Sequence, residues 1–502
     1  MRKKIIAGML SVSMILSTAA VLPEGIMDLG ANMTVSAAVS GDYEYKALSD
    51  GTVEISGYNG SSTSVTIPEK LGGKTVSRIG DQAFYMSKIK TITIPASVKS
   101  VGMDAFRESA YLTSVTFSGG TTSIGDYTFY KCTSLKTVKL PSGLKTMGTY
   151  VFYGCSALTD IVIPDTVTTM GGYFFENCTA LKSVTLPADL TEIKDDTFAW
   201  CTSLSTIRVP NKVTAIDWRA FTSCTALTRV ILPGSLKKIG EEAFDRCNHL
   251  KALSIPGGVT TIGNSAFENC TVLTDVVIPD SVSSIGKYAF GYIHATGAAK
   301  YEKIKDYVVY GSGDTAKSYA QVYSFKYVDV RLSSCKISIP SKTYAYNKKG
   351  VKPSVTITNS AGDKLVKGTD YTLTYQNNKK CGKATVTITG TGKYTGSTKR
   401  SFIIKPAKAT LSSVKSTKAK KVTVKWKKSA GGVSGYQVQI STDKNFKKGV
   451  KTYGVKKAKT VSKTISKLKS KKTYYVRIRA YKLVNNKKYA CKWTTAKKVK
   501  CK

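Results

Sequence analysis

Apolar and polar residues alternate over most of the first 331 residues in a pattern that returns every 23 residues. In the unit that begins at Leu135, the apolar residues Val138 and Leu140 are separated by a lysine and followed by Pro141. An apolar residue at every second position predicts a short β-strand with one buried face. Proline ends such a strand because it has no N–H to donate to a sheet. The pattern therefore predicts one short strand in each unit.

A phenylalanine marks the same place in every unit. The first interval between these phenylalanines is 22 residues and the other eight are 23. A fixed period of this length indicates a solenoid, in which stacked units share a core that no single unit could form. About ten turns spaced by roughly 4.8 Å would extend over about 50 Å. The ten phenylalanines are Phe84, Phe106, Phe129, Phe152, Phe175, Phe198, Phe221, Phe244, Phe267 and Phe290.

Two further columns complete the unit. A glycine such as Gly148 follows the strand, where a tight turn needs a permissive backbone; Lys194 and Asp217 replace it in two units. The stretch around the phenylalanine, with a cysteine three residues later, is expected to form a single helical turn. The fold class predicted is thus a β-rich solenoid of short strands and single helical turns.

Together these positions resemble the BspA-like branch of the leucine-rich repeats, whose units read Leu-x-x-(Val/Ile)-x-(Ile/Leu)-Pro…(Ile/Met)-Gly-x-x-Ala-Phe-x-x-Cys. The resemblance covers about residues 42–331. It implies a capping hairpin that turns at Asp50-Gly51, and a closing strand and short helix near residues 307–323. Proteins of this family are associated with surface adhesion, so the resemblance also implies a binding or adhesion role.

Seven of the eleven cysteines occupy one column of the repeat. A zinc site is not expected, because the cysteines come one per unit and the chain has only two histidines. Disulfides between adjacent turns would satisfy the usual Cα separation, but seven is an odd number and side chains in one column point the same way. We expect buried, reduced thiols that fill the stack. They are Cys132, Cys155, Cys178, Cys201, Cys224, Cys247 and Cys270.

The N-terminus is typical of a secretory signal peptide. Arg2-Lys3-Lys4 precede an apolar run, and Val35-Ser36-Ala37 offers small residues for cleavage after position 37. A retained anchor would need about 20 apolar residues. No lipoprotein cysteine, Leu-Pro-x-Thr-Gly signal or terminal apolar segment is present. We expect a secreted protein, extracellular or held non-covalently at the cell surface, without a transmembrane anchor.

The net charge of +44 is concentrated in the last third of the chain. Residues 332–502 contain 44 Lys and Arg against three acids, whereas residues 1–331 contain 32 against 29. The basic region still alternates as strands do. Residues 332–405 are similar to a small Ig-like sandwich module of bacterial surface proteins. Residues 406–502 resemble a fibronectin type III domain, with Trp426 on the second strand and Leu468 and Tyr474 placed as in a tyrosine corner.

The predicted organisation therefore has four parts. They are a signal peptide (1–37), a leucine-rich-repeat solenoid with its caps (38–331), a basic Ig-like sandwich (332–405) and a basic fibronectin type III domain (406–502).

Two explanations of the basic region remain open. The lysines either form a well-solvated surface, or they attach the protein to an anionic polymer of the cell wall or host matrix, such as teichoic acids or sulfated glycans. Each lysine near an anionic surface contributes about 1 kcal/mol. Nucleic acid is not expected as a partner, because no recognition motif accompanies the charge.

The chain offers no catalytic constellation. The stretch around Ser434 lacks the Gly-x-Ser-x-Gly spacing of a nucleophile elbow, and Gly311-Ser312-Gly313 lacks the Gly-Lys-Ser/Thr of a phosphate loop. We therefore expect no enzyme, no metal and no cofactor.

The outward positions of the repeat strands are the candidates for ligand binding. Exposed apolar side chains interspersed with arginines could form a recognition strip, because solenoids commonly bind along such faces; the alternative is an ordinary β-rich surface. The candidate residues are Lys139, Asp160, Val162, Arg208, Arg229, Ile231, Asp275 and Val277.

The sequence thus favours a secreted bacterial surface protein. Its solenoid would recognise an extracellular protein or glycan while its basic sandwiches hold it to an anionic envelope or matrix. The alternatives are a structural component of an extracellular assembly without a specific ligand, or an accessory subunit for polysaccharide capture.

Overall fold

The computed structural model describes residues 37–294 and 300–502. The predicted signal peptide, apart from Ala37, lies outside these residues. The predicted solenoid is confirmed: parallel strands stack turn upon turn, and each strand pairs with the equivalent strand 23 residues away, as Thr137 does with Ser114 and Met147 with Ile124. Each turn has three sides, which we call the front sheet, the back sheet and the turn side.

The front sheet carries the alternating Val-x-Leu stretch of each repeat. Its strands are Ser64–Thr66, Thr91–Ile94, Ser114–Phe117, Thr137–Lys139, Asp160–Val162, Ser183–Thr185, Thr206–Arg208, Arg229–Ile231, Asp275–Ile278, Val308–Gly311 and Lys326–Asp329.

The back sheet consists mostly of two-residue strands. They are Val53–Tyr58, Lys74–Ile79, Ser100–Val101, Ser123–Ile124, Thr146–Met147, Thr169–Met170, Glu192–Ile193, Ala215–Ile216, Lys238–Ile239, Thr261–Ile262 and Ser284–Ile285. Two short antiparallel additions, Lys70–Leu71 on Lys74–Ile79 and Tyr292–Ile293 with Glu302–Lys303, lie beside the stack.

Both ends of the stack are closed. At the first end, Tyr43–Ala47 pairs antiparallel with Val53–Tyr58 and is itself flanked by Ala38–Ser40. At the other end the helix Asp314–Val322 covers the last turn. The Tyr319 hydroxyl of this helix accepts from the N–H of Phe290 at 2.8 Å and donates to its carbonyl at 3.0 Å. These contacts satisfy backbone groups that would otherwise need a further repeat.

The turn side differs from the expected helical turn. In the repeat of Phe129, the N–H groups of Tyr127, Phe129 and Lys131 donate to carbonyls of the next turn, at 2.7–2.9 Å. Tyr127 and Lys131 have φ values of 55° and 53°, so right- and left-handed residues alternate here. A helix would direct these N–H groups along its own axis. The backbone instead directs them to the neighbouring repeat, which makes the turn side a third ladder.

The repeat glycines have a different role from the one expected. Gly148 does not adopt a positive φ, whereas non-glycine residues such as Tyr127 do. A Cβ on Gly148 would lie 2.6 Å from the backbone nitrogen of Asp126, and one on Gly171 would lie 2.5 Å from the carbonyl oxygen of Gly148. Glycine is therefore required by the close approach of successive turns and not by the dihedral angles of a tight turn.

The ten repeat phenylalanines form one column of stacked rings. Each side chain is at most 2% exposed. Neighbouring rings lie 4.9–5.6 Å apart between centroids and within 20° of parallel. The column continues into Tyr58 of the first cap, at 5.4 Å from Phe84. Offset stacking at these distances adds to the burial of the rings.

The cysteine column runs beside the phenylalanines. All seven thiols are buried and unbonded to one another. Each Sγ donates to the carbonyl of the phenylalanine 26 residues earlier, at 3.0–3.3 Å, as Cys201 does to Phe175. Burial raises the pKa of these thiols. They are therefore protonated donors in the solenoid core.

Residues 332–404 surround a separate apolar core that includes Ile357, Val386 and Phe402. A 3₁₀ turn, Leu332–Ser334, leads into this region. One layer pairs Lys336–Ser338 with Thr356–Thr358, and the other has the order Thr343–Ala345, Ser397–Lys405, Gly382–Gly390, Tyr371–Gln376.

The rest of the chain forms a second sandwich around Trp426, Tyr436 and Ile478. One sheet has the order Thr410–Lys415, Val422–Lys427, Ser462–Ile465. The other has the order Lys451–Val455, Gly435–Ser441, Thr473–Val484, Lys487–Ala490, with Lys497–Lys500 also paired to Thr473–Val484. The Tyr474 hydroxyl accepts from the N–H of Lys469 at 3.0 Å, which is the expected tyrosine corner.

A buried ring of the phenylalanine column should be essential for stability. We expect Phe221→Ala to lower the free energy of unfolding by about 3–5 kcal/mol, because the substitution loses apolar burial and leaves a cavity between two rings. Chemical denaturation measures the change. The exposed Val162→Ala serves as control and should cost less than about 0.5 kcal/mol. A loss below about 1 kcal/mol for Phe221→Ala would contradict the packing role.

Candidate functional site

The eight candidate binding residues all lie on the outward face of the front sheet. They fall into two columns that run along the solenoid. Lys139, Val162, Arg208, Ile231 and Val277 occupy one column, and Asp160, Arg229 and Asp275 occupy the other. We call these eight residues the front strip.

The front strip differs in exposure along its length. Lys139, Asp160, Arg208 and Arg229 are exposed, and Val162 is 64% exposed. Ile231, Val277 and Asp275, in contrast, are half-buried. The expectation of exposed apolar residues is therefore met fully only at Val162.

The arginines provide the most specific chemistry of the front strip. Arg208 lies directly beside Ile231 on the neighbouring strand, and Arg229 lies beside Thr206. Arg208 also borders a shallow surface depression formed with Thr185, Ala188, Pro210 and Asn211. Two guanidinium groups next to apolar surface suit a ligand that combines a carboxylate or other oxyanion with apolar or aromatic parts.

One end of the front strip is in contact with the following sandwich. The Lys393 ammonium lies 2.5 Å from the Asp275 carboxylate and 4.2 Å from the centroid of the Tyr310 ring. Val277 lies beside Tyr310 on the adjacent strand. Asp275 is thus engaged within the chain, and the part of the strip that is open to a ligand extends from Lys139 to Ile231.

The turn side carries an aromatic cluster that was not recognised in the sequence. Tyr127, Tyr150 and Tyr173 stack at 4.5–4.8 Å, and Tyr130 stacks on Tyr153 at 4.7 Å. The ring faces cover one another, so that edges and hydroxyl groups face the solvent. This arrangement leaves little free ring face for a sugar or a base. A reading of the columns two residues before and one residue after each phenylalanine would have found the cluster.

The same columns become acidic and basic in the following turns. Burial, together with the charge of Asp196, raises the pKa of Glu176 to about 7. Burial also raises the pKa of Asp196 to about 6, against the opposing effect of Arg219. The Arg219 guanidinium lies 3.5 Å from Asp196 and 3.7 Å from Glu242. These groups are partly desolvated and only partly compensated, so their charge state opposes folding at neutral pH.

The basic region has few internal counterions. Across the described chain, the basic residues after Lys393 take part in no ion pair. The three acids beyond residue 331 are engaged elsewhere: Asp363 with Lys326, Asp370 with the N–H of Val366, and Asp443 with three backbone N–H groups of its own turn. The lysines of the last sandwich therefore present unneutralised charge to the solvent.

Two general features of the described residues limit the chemistry. No group of histidine, cysteine or acidic side chains in residues 37–294 and 300–502 has an arrangement that could hold a metal ion. Within the same residues, no helix has the length and apolar character needed to span a bilayer.

Comparison with known families agrees with this architecture. Residues 57–182 and 168–296 match the model of the BspA type leucine rich repeat region, in six copies, and residues 405–490 match the fibronectin type III domain. The chain therefore carries a BspA-type leucine-rich-repeat region followed by a fibronectin type III domain. Regions of these two families are typically binding or structural modules without enzymatic activity, and the repeat family suggests a binding or adhesion role. No curated protein matches the chain.

Several solved structures are similar to parts of the chain. The leucine-rich-repeat protein TpLRR of T. pallidum is 28% identical, with a TM-score of 0.37, over 38% of this chain and 91% of that one. A leucine-rich cell surface protein of Faecalibacterium prausnitzii is 25% identical, with a TM-score of 0.35, over 52% and 87%. The pneumococcal vaccine antigen PcpA is 18% identical, with a TM-score of 0.34, over 58% and 98%.

The raised pKa of Glu176 predicts a pH-dependent stability. A carboxyl group whose pKa is higher in the folded than in the unfolded state stabilises the fold when protonated, and this contribution is lost as the pH rises from about 4.5 to about 7. We therefore expect Glu176→Gln to raise the melting temperature at pH 8 and to change it little at pH 4.5. Thermal unfolding at both pH values measures this.

Glu192→Gln, at an exposed position of the back sheet, is the matched control and should behave like the unmodified protein at both pH values. An equal effect of Glu176→Gln at pH 4.5 and pH 8 would contradict the assignment.

Proposed function

We propose that this chain is a secreted, surface-associated binding or adhesion protein. The front strip recognises an extracellular protein or glycan, and the two lysine-rich sandwiches hold the molecule to an anionic polymer of the envelope or matrix. No catalytic step is part of this proposal.

The observation that carries the proposal is the segregation of charge. Residues 332–502 contain 44 basic residues and three acidic ones, and the three acids are occupied by the local contacts described above. A surface of this kind attracts polyanions and depends on ionic strength. The solenoid is close to neutral by comparison, so the attraction is limited to one end of the molecule and leaves the front strip available for a different ligand.

The strand face supports the recognition part of the proposal. Its open part combines Arg208 and Arg229 with the apolar side chains of Val162 and Ile231. Arginine next to apolar contact area is typical of the residues that dominate binding energy in protein interfaces. The stacked strands hold these side chains at fixed separations, which limits the entropy lost on binding.

Electrostatic attachment predicts release by salt. The protein bound to whole cells should be washed off as the NaCl concentration rises from 0.1 M towards about 1 M, because the screening length falls from about 10 Å to about 3 Å. Immunoblotting of the washes measures the release, and sucrose of equal osmolarity is the control. Retention that is unchanged at 1 M NaCl would contradict attachment by charge.

Recognition by the front strip predicts a loss of ligand binding on substitution. The triple variant Arg208→Ala, Arg229→Ala and Ile231→Ala should bind cells or immobilised matrix at least about 10-fold more weakly, because interface arginines and apolar anchors are commonly worth more than 1 kcal/mol each. Binding is measured above the salt concentration at which the electrostatic component is lost.

The matched control is Lys145→Ala, Lys237→Ala and Val272→Ala. These three exposed solenoid residues lie outside the front strip, and their replacement should leave binding unchanged. Equal binding by both triple variants would argue against the strip and favour the alternative, a structural component without a specific ligand.

A further inference from the structure

The last sandwich contains a cavity lined by four lysines. Lys451, Lys467, Lys469 and Lys472 surround a space of about 390 Å³, which is within the range of small-molecule sites. The cavity lies where the strands Gly435–Ser441 and Lys451–Val455 meet the loop before Thr473–Val484. We call it the lysine cavity. Its other lining residues are Ile440, Thr442, Gly449, Leu468 and Tyr474.

The lysine cavity has no counterion of its own. None of the four lysines takes part in an ion pair within the described residues. The acid closest in sequence, Asp443, accepts hydrogen bonds from the N–H groups of Asn445, Lys447 and Lys448 at 2.6–3.1 Å. Four positive charges around one concavity repel one another and focus the potential into it. An anion placed there would relieve that repulsion.

The backbone that carries the lysines is held in place. The N–H of Leu468 donates to the carbonyl of Lys420 at 3.1 Å, and that of Lys471 donates to Cys501 at 2.8 Å. The N–H of Lys469 donates to the Tyr474 hydroxyl. This hydroxyl accepts, and makes no other hydrogen bond within the described residues, so its own hydrogen is free for a ligand. Such preorganisation reduces the entropy lost on binding.

The type of cation indicates the type of anion. Lysine is a compact charge with three rotatable donors, whereas arginine has the planar fork that matches a carboxylate. The lysine cavity contains four lysines and no arginine. A tetrahedral oxyanion can accept from several ammonium groups around it, and a planar carboxylate offers fewer directions.

We propose that the lysine cavity is a specific binding site for a tetrahedral oxyanion, a phosphate or sulfate ester group carried by an extracellular polymer. The inference rests on the proposed attachment through the basic region and gives it a defined site. The remaining lysines of the sandwiches then act as a diffuse attraction, and the lysine cavity fixes the orientation of the molecule on the polymer.

The test compares two variants of the whole protein that lose the same charge. One replaces Lys451, Lys467, Lys469 and Lys472 with glutamine. The control replaces Lys408, Lys415, Lys425 and Lys427, four exposed lysines on or next to the other sheet of the same sandwich. Isothermal titration calorimetry is run with tripolyphosphate and, separately, with a sulfated disaccharide, at 0.15 M NaCl.

The unmodified protein should bind one of these probes at a single saturable site. We expect the cavity variant to bind that probe at least about 30-fold more weakly and the control less than about 3-fold more weakly, since each lysine near an anion is worth roughly 1 kcal/mol. The probe that binds identifies phosphate or sulfate as the source of the oxyanion. Melting temperatures verify folding, and the double variant Lys467→Gln and Lys469→Gln replaces the fourfold one if it does not fold.

Equal weakening in both variants, or the absence of a saturable site for both probes, would overturn the inference. Either result is compatible with salt-sensitive retention on cells, which then reflects diffuse attraction alone. Conversely, retention that resists salt would reject the proposed attachment, while the calorimetry would still report whether the lysine cavity binds an oxyanion. The two failures are therefore distinguishable.

Discussion

The solenoid depends on the hydrogen bonding of each turn to the next. On all three sides, backbone N–H groups donate to carbonyls of an adjacent turn, so one repeat satisfies the polar groups of another. The phenylalanine column occupies the space that these ladders enclose, and its rings stack at the spacing that the backbone imposes. A register of 23 residues is the condition under which both interactions are met together. Glycine at positions such as Gly148 and left-handed residues such as Tyr127 follow from the same condition, because successive backbones approach too closely for another geometry.

This construction separates the core from the surface in a regular way. The phenylalanine and cysteine columns point inward and are repeated with little change, whereas the outward columns vary from turn to turn. The front strip, the tyrosine cluster and the group formed by Glu176, Asp196 and Arg219 are all products of that variation. The repeat thus provides a rigid framework on which different side chains are held at fixed distances.

The basic sandwiches have the opposite character. Their folds use alternate apolar positions and leave the other positions to lysine, so the high charge is compatible with a packed core around Trp426 and Tyr436. The contact of Lys393 with Asp275 connects the two types of structure at the end of the front sheet. It uses one acid of the nearly neutral solenoid to bind one cation of the basic region. The remaining lysines have no such partners within the last sandwich.

The sequence by itself determined the solenoid, its period, the terminal fibronectin type III domain and the division of charge, because each of these repeats or accumulates along the chain. It could not determine that the stretch around each phenylalanine forms a ladder in place of a helical turn, since that depends on hydrogen bonds to residues in the next repeat. Nor could it show that Asp275 is engaged by Lys393, 118 residues away. The lysine cavity is a similar case, since residues from two separate segments line it. Local patterns set the elements, and only the tertiary structure decided which side chains meet, because those contacts join residues that are distant in sequence.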